Sequence, residues 1–543
     1  MTPFATRLNP SSDDFSANRE KQLALLDRLE ALMTRAATKS EERRARFEER
    51  GQLTPRERLA RLLDPGMPFL TLFPLANYLV DKADPESSLA GASALAGIGF
   101  VSGTRVMVLV DDSGIAAGAM TEKSLDKVLN CLDMARDLKL PFVHCVESAG
   151  ADLKNYRVEL WAHGGAVFAK LARLSAAGIP TFTILHGPST AGGAYMPGLS
   201  DYVIAVEGRG RAALASAALV RAATGEVVEE EPLSGARMHA EVSGLVEYLA
   251  DDDAHALRLA RKLVGQLGWN RSVRSTLEAD HDGFREPVFH PEEILGLIPR
   301  DYRTPYDVRE LVVRIVDGSE FVDFKPDYGI STICMQAEVM GRPVSILGNN
   351  GPIDPDGATK AAQFIQLADQ SETPLVFLNN TTGYIVGEAA ERAGMIKHGS
   401  KMIQAVANAR VPKITFYVGG SFGAGNYGMC GLGFDPDFLF AYPQSVSGVM
   451  GGMQAAKTMS QVMAGAAKRR GHELDPKAVA AQEAMLAEHF DKQSDAFYTS
   501  GRMLDMGIID PRKTRHVLGF ALETLSEAAA RTLKPNAFGV ARM

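Results

Sequence analysis

Two glycine-rich segments carry the residue types best suited to chemistry. The first reads His186-Gly187-Pro188-Ser189-Thr190-Ala191-Gly192-Gly193-Ala194-Tyr195 and the second Gly419-Gly420-Ser421-Phe422-Gly423-Ala424-Gly425-Asn426-Tyr427. Small residues passing from a strand into a helix let a ligand come close to backbone N–H groups, which bind an anion or stabilise an oxyanion there. One such segment alone could be a tight turn needing positive φ; its recurrence favours a functional role. Gly419-Gly420-Ser421-Phe422-Gly423 also fits the nucleophile elbow of serine hydrolases, with His472, His489 and His516 formally available for a triad. Ser189 holds the equivalent place in Gly-Pro-Ser-Thr-Ala, which makes no elbow, so a Ser421 nucleophile is disfavoured. His144, His186 and His398 share no metal-ligand spacing, and no Gly-x-x-x-x-Gly-Lys-Ser/Thr run occurs, so neither a metal nor ATP chemistry is expected. A duplicated anion-stabilising turn without an obvious acid or base suggests that backbone dipoles hold enolates while the proton moves between substrates.

The elements that must position these turns are themselves repeated. Gly103 to Asp112 reads like Gly341 to Asn350, Leu140-Pro141 opens a run like that at Thr373-Pro374, and Ile179-Pro180 one like that at Val411-Pro412, at offsets of 232 to 238 residues. Upstream, Thr54-Pro55 opens a helix ending at Arg61 to Asp64, and Thr304-Pro305 is expected to open one ending at Arg314 to Asp317. Thr54 and Thr304 suit N-caps, Pro55 and Pro305 the first helical position, and Glu57 completes a capping box. Short apolar strands alternate with helical stretches such as Ser124 to Leu138 and Thr359 to Glu372, which predicts an α/β fold of repeated βαβ units with largely buried parallel sheets. The boundary falls between Trp269 and Pro299, giving expected domains at 1–290 and 291–543. The Arg/Glu mixture at Glu41 to Arg50 reads as a salt-laced, solvated helix face, and contact with a ligand is the minority reading.

Composition excludes other classes. With 543 residues, 46% of them hydrophobic and 23% charged, the chain is an ordinary globular protein of more than one domain. A net charge of -8 gives no nucleic-acid footprint. Cys131, Cys145, Cys334 and Cys430 are too few and too scattered for a disulfide framework. No apolar run approaches the length of a membrane span, and Met1 to Glu20 lacks a signal core, so a cytoplasmic location is expected.

Taken together, Leu53 to Gly66, Ser189 to Tyr195, Ala222 to Glu226, Gly348 to Gly351, Ile396 to Met402 and Val449 to Gly452 resemble the carboxyltransferase (β) subunit of biotin-dependent acyl-CoA carboxylases. The resemblance covers residues from about 20 to 535 and is nearest the methylcrotonyl- and geranyl-CoA branch. It implies two tandem crotonase-like β-β-α superhelix domains (the ClpP/crotonase type), the first for acyl-CoA and the second for carboxybiotin. It also implies sites built where the first domain of one protomer meets the second of another. By position, the N–H groups of Gly192 and Gly193 and those of Ala424 and Gly425 become two oxyanion holes. One serves the thioester enolate and the other the ureido oxygen of biotin, the family pattern putting Ala424 and Gly425 at the thioester. Gly118, Ala151, Thr382, Gly383, Gly451 and Gly452 fall at ligand-binding positions. The implied reaction has carboxybiotin release CO2 and accept the acyl-CoA proton, after which the carbanion captures CO2.

No biotin-acceptor Ala-Met-Lys-Met or ATP-binding carboxylase domain is present, so an α subunit with biotin carboxylase and carrier domains is the implied partner, around a hexamer of this chain. Gly164 stands where methylcrotonyl-type enzymes carry Phe and geranyl-type enzymes Gly, which makes it the expected acyl pocket and favours geranyl-CoA over 3-methylcrotonyl-CoA; a helix-packing notch is the plainer explanation. Two departures fall in the proposed acyl-CoA domain: Ala215-Ser216-Ala217-Ala218-Leu219-Val220 replaces Ala-Gly-Pro-Pro-Leu-Val, and Ala116-Ala117-Gly118 replaces Lys-Gly-Gly. A biotin-dependent decarboxylase subunit and a non-catalytic assembly subunit are the alternative readings.

Overall fold

The computed structural model describes residues 4–150, 157–273, 283–470 and 475–536. The chain packs into two compact units, one of residues 31–280 with 523–543 and one of residues 1–30 with 281–522. The first thirty residues group with the second half and the last twenty-one with the first.

In the 31–280 unit, strands β1 (Leu70–Thr71), β2 (Ala94–Val101), β3 (Thr104–Asp111), β4 (Phe142–Ser148), β5 (Thr181–Thr190), β6 (Tyr202–Val206) and β8 (Tyr248–Ala250) form a sheet in the order β1-β2-β3-β4-β5-β6-β8, and β7 (Arg211–Ala213) branches from the end of β5. The 1–30/281–522 unit repeats this plan. Its strands β9 (Phe321–Asp323), β10 (Thr332–Val339), β11 (Arg342–Asn349), β12 (Leu375–Thr381), β13 (Lys413–Phe422) and β14 (Phe438–Ala441) form a sheet, and β15 (Val446–Gly448) branches from the end of β13. Each repeat opens with an antiparallel hairpin, β2/β3 or β10/β11, followed by parallel pairings. The units are therefore β-β-α, as the family resemblance implies, and not the βαβ that alternating strands and helices suggest, because a two-residue turn joins the first two strands and leaves no room for a crossover helix.

The hairpins show why the repeat is legible. Their turns, Ser102-Gly103 and Met340-Gly341, have positive φ at both residues, as a tight right-twisting hairpin requires. The Asp64 carboxylate accepts from the Ser102 and Gly103 amides at 2.9 and 2.6 Å, and Asp317 accepts from those of Met340 and Gly341 at 2.8 Å each. An arginine from a later helix completes each pair, Arg261 on Asp64 at 2.7 Å and Arg515 on Asp317 at 2.6 Å. Upstream, Thr54 makes the expected capping box with Glu57. Thr304 does not cap: the second helix runs Val308–Val312, and Asp307 caps it by accepting from the Arg309 amide. The Thr-Pro pair placed that start too early because Asp307, a stronger N-cap, lies three residues further on. The predicted helices appear at Glu122–Asp137 and Pro355–Gln370, capped by Thr121 and Asp354.

The central strands are buried, those of the first sheet against Leu62 and the helix Asp253–Gln266 and those of the second against the helix Pro355–Gln370. Val108, Val143, Phe182 and Ile204 are fully buried in the first sheet, as are Leu347, Phe377 and Leu375 in the second. Among the described residues, no helix is long and apolar enough to cross a membrane.

Candidate active site

Each glycine-rich turn follows an irregularity at the end of a parallel strand pair. The β4/β5 register shifts before Ser148 pairs with Ser189, and the β12/β13 register shifts before Thr381 pairs with Ser421. Beyond these points β5 and β13 turn to pair with β7 and β15. Each then enters a helical turn through a residue of left-handed backbone, Ala191 (φ 54) or Gly423 (φ 56).

That entry leaves donors free. A helix start has N–H groups with no intrahelical acceptor, and an N-cap side chain ordinarily takes those of the second and third residues. Thr190 precedes the turn Ala191–Ala194 without a side-chain cap bond, and Phe422, which precedes the helix Gly423–Gly428, has no acceptor to offer. The uncapped second and third amides are Gly192 and Gly193 in one unit and Ala424 and Gly425 in the other, the four groups singled out by sequence. Gly192 and Ala424 are exposed, Gly193 is half-buried and Gly425 is buried.

A second loop supports each turn in the same way. Gly150 (φ 85) lies against the Thr190 carbonyl, and Gly383 (φ 117) against that of Phe422. The Gly150 carbonyl accepts from the Met120 amide at 2.8 Å, as the Gly383 carbonyl does from the Ile353 amide at 3.0 Å. A Cβ on Gly425 would lie 2.7 Å from the Gly383 Cα, so these two backbones touch. Thr382 is exposed beside them. The Val449–Gly452 segment closes the same cluster, since a Cβ on Gly423 would meet the Val449 carbonyl at 3.2 Å. Gly451 packs against the Tyr302 hydroxyl, and the Gly452 amide already donates to Asp491 at 3.0 Å. Beside this turn lies a cavity of about 670 Å³ lined by Ala424, Tyr427, Val449, Phe490 and Tyr498.

In the other unit, Gly118 (φ 68) sits directly on the Glu147 carbonyl, and its own carbonyl accepts from the Ser148 hydroxyl at 2.7 Å. Ala116 and Ala117 hold φ of 47 and 52, so this chain keeps a glycine-like loop on alanine. Ser216 caps the helix Ala217–Thr224, which ends on Gly225 at φ 78; the second departure is thereby a capped helix start. Gly164, in the helix Val158–Ala176, has open space where a side chain would stand. It lies one turn before Phe168, whose ring meets that of Tyr195 at a tilt of 57° and reaches within 3.5 Å of a Cβ placed on Gly192. Ala151 lies outside the described residues.

The histidines serve structure. His144 bonds Asp111 at 3.0 Å and His398 bonds Thr359 at 2.6 Å. His186 lies beside Asp253 at 3.0 Å, and burial keeps it neutral by lowering its pKa. No cluster able to hold a metal occurs among the described residues.

Sequence inspection missed the polar groups beneath the turns. Ser189 donates to the Gly193 carbonyl at 2.8 Å, whereas Ser421 is held by Asn379 and Asn426. A buried set of charges also reaches the first turn: Arg58 pairs with Glu147 at 2.6 Å and Asp253 at 3.0 Å, and the Glu147 side chain packs on Gly187. The recurrence of serine at one place in both repeats was the only signal for the former. Nothing local marks the latter, whose partners lie 89 and 195 residues apart.

The family comparison agrees with this geometry. The carboxyl transferase domain family model matches residues 46–540. The chain is 45% identical over 92% of both chains to a probable biotin-dependent acyl-coenzyme A carboxylase β2 subunit of Mycobacterium tuberculosis. It is 40% identical, over 93% of this chain and 94% of the other, to the 3-methylcrotonyl-coenzyme A carboxylase β1 subunit of the same organism. Its fold superposes on the geranyl-CoA carboxylase β subunit of P. aeruginosa with a TM-score of 0.92 and 48% identity over the whole of both chains. The chain belongs to the carboxyl transferase family, as a carboxyltransferase β subunit of the biotin-dependent acyl-CoA carboxylases, with two crotonase-like domains and a CoA thioester as substrate.

Proposed function

We propose that this subunit moves a carboxyl group from carboxybiotin to a branched enoyl-CoA, geranyl-CoA in preference to 3-methylcrotonyl-CoA. Gly164 carries the substrate choice. No described atom lies within 4 Å of a Cβ placed there, which supports an open position over a packing notch. It opens room on the helix face that leads through Phe168 to the Gly192 turn. The similarity to the geranyl-CoA carboxylase β subunit supports the same choice.

In this reading the 31–280 unit takes the CoA thioester, with Gly118 and the adjoining loop against it, and the other unit takes carboxybiotin near Thr382, Gly383, Gly451 and Gly452. Both turns fit such ligands: they offer uncapped amide pairs, and at Gly425 there is no room for a side chain that would bar close approach. Carboxybiotin, when delivered by the α subunit, supplies the carboxyl group and accepts the substrate proton. The chain's own contribution is fixed dipoles. In a site shared between protomers, Ala424 and Gly425 of a neighbouring protomer donate to the thioester oxygen as it becomes an enolate, and Gly192 and Gly193 to the second oxyanion; such donors need no reorganisation as charge develops. No side-chain base is required. The functional assembly is a cytoplasmic hexamer of this chain with six α subunits.

Replacing Gly164 by Phe and measuring bicarbonate fixation by the assembled complex tests the substrate choice. Loss of geranyl-CoA carboxylation with methylcrotonyl-CoA carboxylation kept supports it; equal loss on both refutes it.

A further inference from the structure

The two units brace their glycine-rich turns with side chains of different charge. Glu147 stands immediately before Ser148, which pairs with Ser189, and Asn380 immediately before Thr381, which pairs with Ser421. Each lies against a glycine two residues ahead of the paired serine. A Cβ on Gly187 would lie 2.5 Å from the Glu147 Cγ, and one on Gly419 would meet the Asn380 side-chain oxygen. The course of each strand end therefore depends on the side chain packed on it. In the second unit that side chain is a neutral amide, which donates to the Asn349 carbonyl at 3.5 Å. In the first it is a carboxylate, at 4% exposure.

A carboxylate this deeply buried stays ionised only beside a partner. Arg58, itself fully buried, donates to Glu147 at 2.6 Å and to Asp253 at 3.0 Å. Gln52 ties the same carboxylate to the strand, donating to Glu147 at 3.3 Å and to the His186 carbonyl at 2.7 Å. Three further titratable groups surround the set. His186 lies 3.0 Å from Asp253, Asp111 accepts from the Glu147 amide at 3.1 Å and bonds His144, and burial pushes the Cys145 thiol up to about 12. Asp253 thus has His186 as a second partner, whereas among the described residues Arg58 is the one cation paired with Glu147. Glu147 also borders a cavity of about 210 Å³ lined by Arg43, Arg46 and Arg50. Without Arg58, an ionised Glu147 would be drawn towards those arginines and away from Gly187.

We propose that Arg58 is a positioning residue for the first oxyanion hole: by holding the Glu147 carboxylate against Gly187, it fixes the strand end that places the Gly192 and Gly193 amides. Gly187 is five residues before Gly192, and the Ser189 bond to the Gly193 carbonyl at 2.8 Å carries the placement onward. This rests on the reading above that those amides stabilise an oxyanion.

The test is R58Q, which removes the charge and keeps a hydrogen-bonding side chain, with kcat and KM of the assembled complex and urea denaturation of the chain followed across pH. In R58Q, Glu147 holds a proton at low pH and ionises as pH rises. Its kcat is expected to fall against the native value between about pH 6 and pH 8, reaching about 10²-fold, with KM for the acyl-CoA kept within about two-fold. Its denaturation midpoint should fall against the native one in the same direction. The R58Q/E147Q variant puts an amide against Gly187, as Asn380 lies against Gly419; it should recover kcat to within about ten-fold of native and lose the pH-dependent fall, because removing both members of a buried pair leaves no stranded charge. An R58Q loss of the same size at every pH, an R58Q kcat equal to the native one, or a double variant no better than R58Q overturns the proposal. If R58Q does not assemble, the double variant decides: turnover by it supports the proposal, and the same failure overturns it. A native complex that fixes no bicarbonate on any acyl-CoA instead overturns the proposed function.

Discussion

The Asn426 side-chain amide donates to the Ser421 hydroxyl at 2.8 Å, and Ser421 donates in turn to Asn379 at 3.2 Å. Both functions of the hydroxyl are committed, its side chain is fully buried, and no described imidazole accepts from it, His472 lying outside the described residues. The same Asn426 amide reaches the Tyr417 hydroxyl at 3.2 Å, and burial pushes that phenol up to about 12, so it stays neutral. The serine is a brace under the second turn rather than a nucleophile. A fluorophosphonate probe should therefore leave Ser421 unmodified, as mass spectrometry of the labelled chain will show. Ser421→Ala should cost about 1–3 kcal/mol in stability by stranding buried amide groups, read from the denaturation midpoint.

Gly425→Ala should be the most damaging small substitution at either turn. Its methyl group would press on the Gly383 backbone at 2.7 Å, where nothing flexible can give way, whereas in Gly192→Ala it would meet the Phe168 ring at 3.5 Å. Displacing an oxyanion donor costs about 2.7–4 kcal/mol, a 10²–10³-fold fall in kcat. The expected result in the assembled complex is that loss for Gly425→Ala, with far less for Gly192→Ala and native-like circular dichroism for both.

Ala117 adopts φ 52, which a Cβ resists by about 1–2 kcal/mol. Ala117→Gly gives back part of that to the greater freedom of the unfolded chain. A net gain of about 0.5–1 kcal/mol in urea denaturation is expected.

Asp505 is buried, accepts from the Ser500 hydroxyl at 2.7 Å through one oxygen, and has no partner on the other. Burial raises its pKa to about 7. The folded state then holds the proton more tightly than the unfolded chain, whose carboxyl titrates near pH 4. Its contribution to stability is complete below about pH 4, declines as pH rises to about 7, and is flat above. A shift of this size corresponds to about 4 kcal/mol. Asp505→Asn should remove that decline, so the variant gains on the native chain between pH 4 and 7; parallel pH curves would contradict this.

The two-fold repeat could be read because the features that fix it are local: a glycine in each hairpin turn, an aspartate upstream, and a proline before each later strand. Asp64 and Asp317 show how far this goes, since each caps the hairpin beyond it in the same manner. The amide pairs at Gly192/Gly193 and Ala424/Gly425 were legible because small residues mark close backbone approach. Side-chain partnerships distant in sequence were not. Arg58 meets Glu147 and Asp253 only through the fold, and the arginines of residues 43–50 read as one charged face until Arg44 is seen paired and its neighbours turned to a cavity. Alternating strands and helices by themselves suggest βαβ; the antiparallel hairpins came through the family resemblance, and in the chain itself only the two-residue turns mark them.

ATP-dependent fixation of labelled bicarbonate by the complex of this chain with its biotin-carrying partner, across propionyl-, methylcrotonyl- and geranyl-CoA, tests the central claim most directly. Selective labelling of geranyl-CoA is the predicted result. Preference for propionyl-CoA would contradict the role given to Gly164, and no fixation on any of the three, with the partner biotinylated and bound, would contradict the proposed carboxylation.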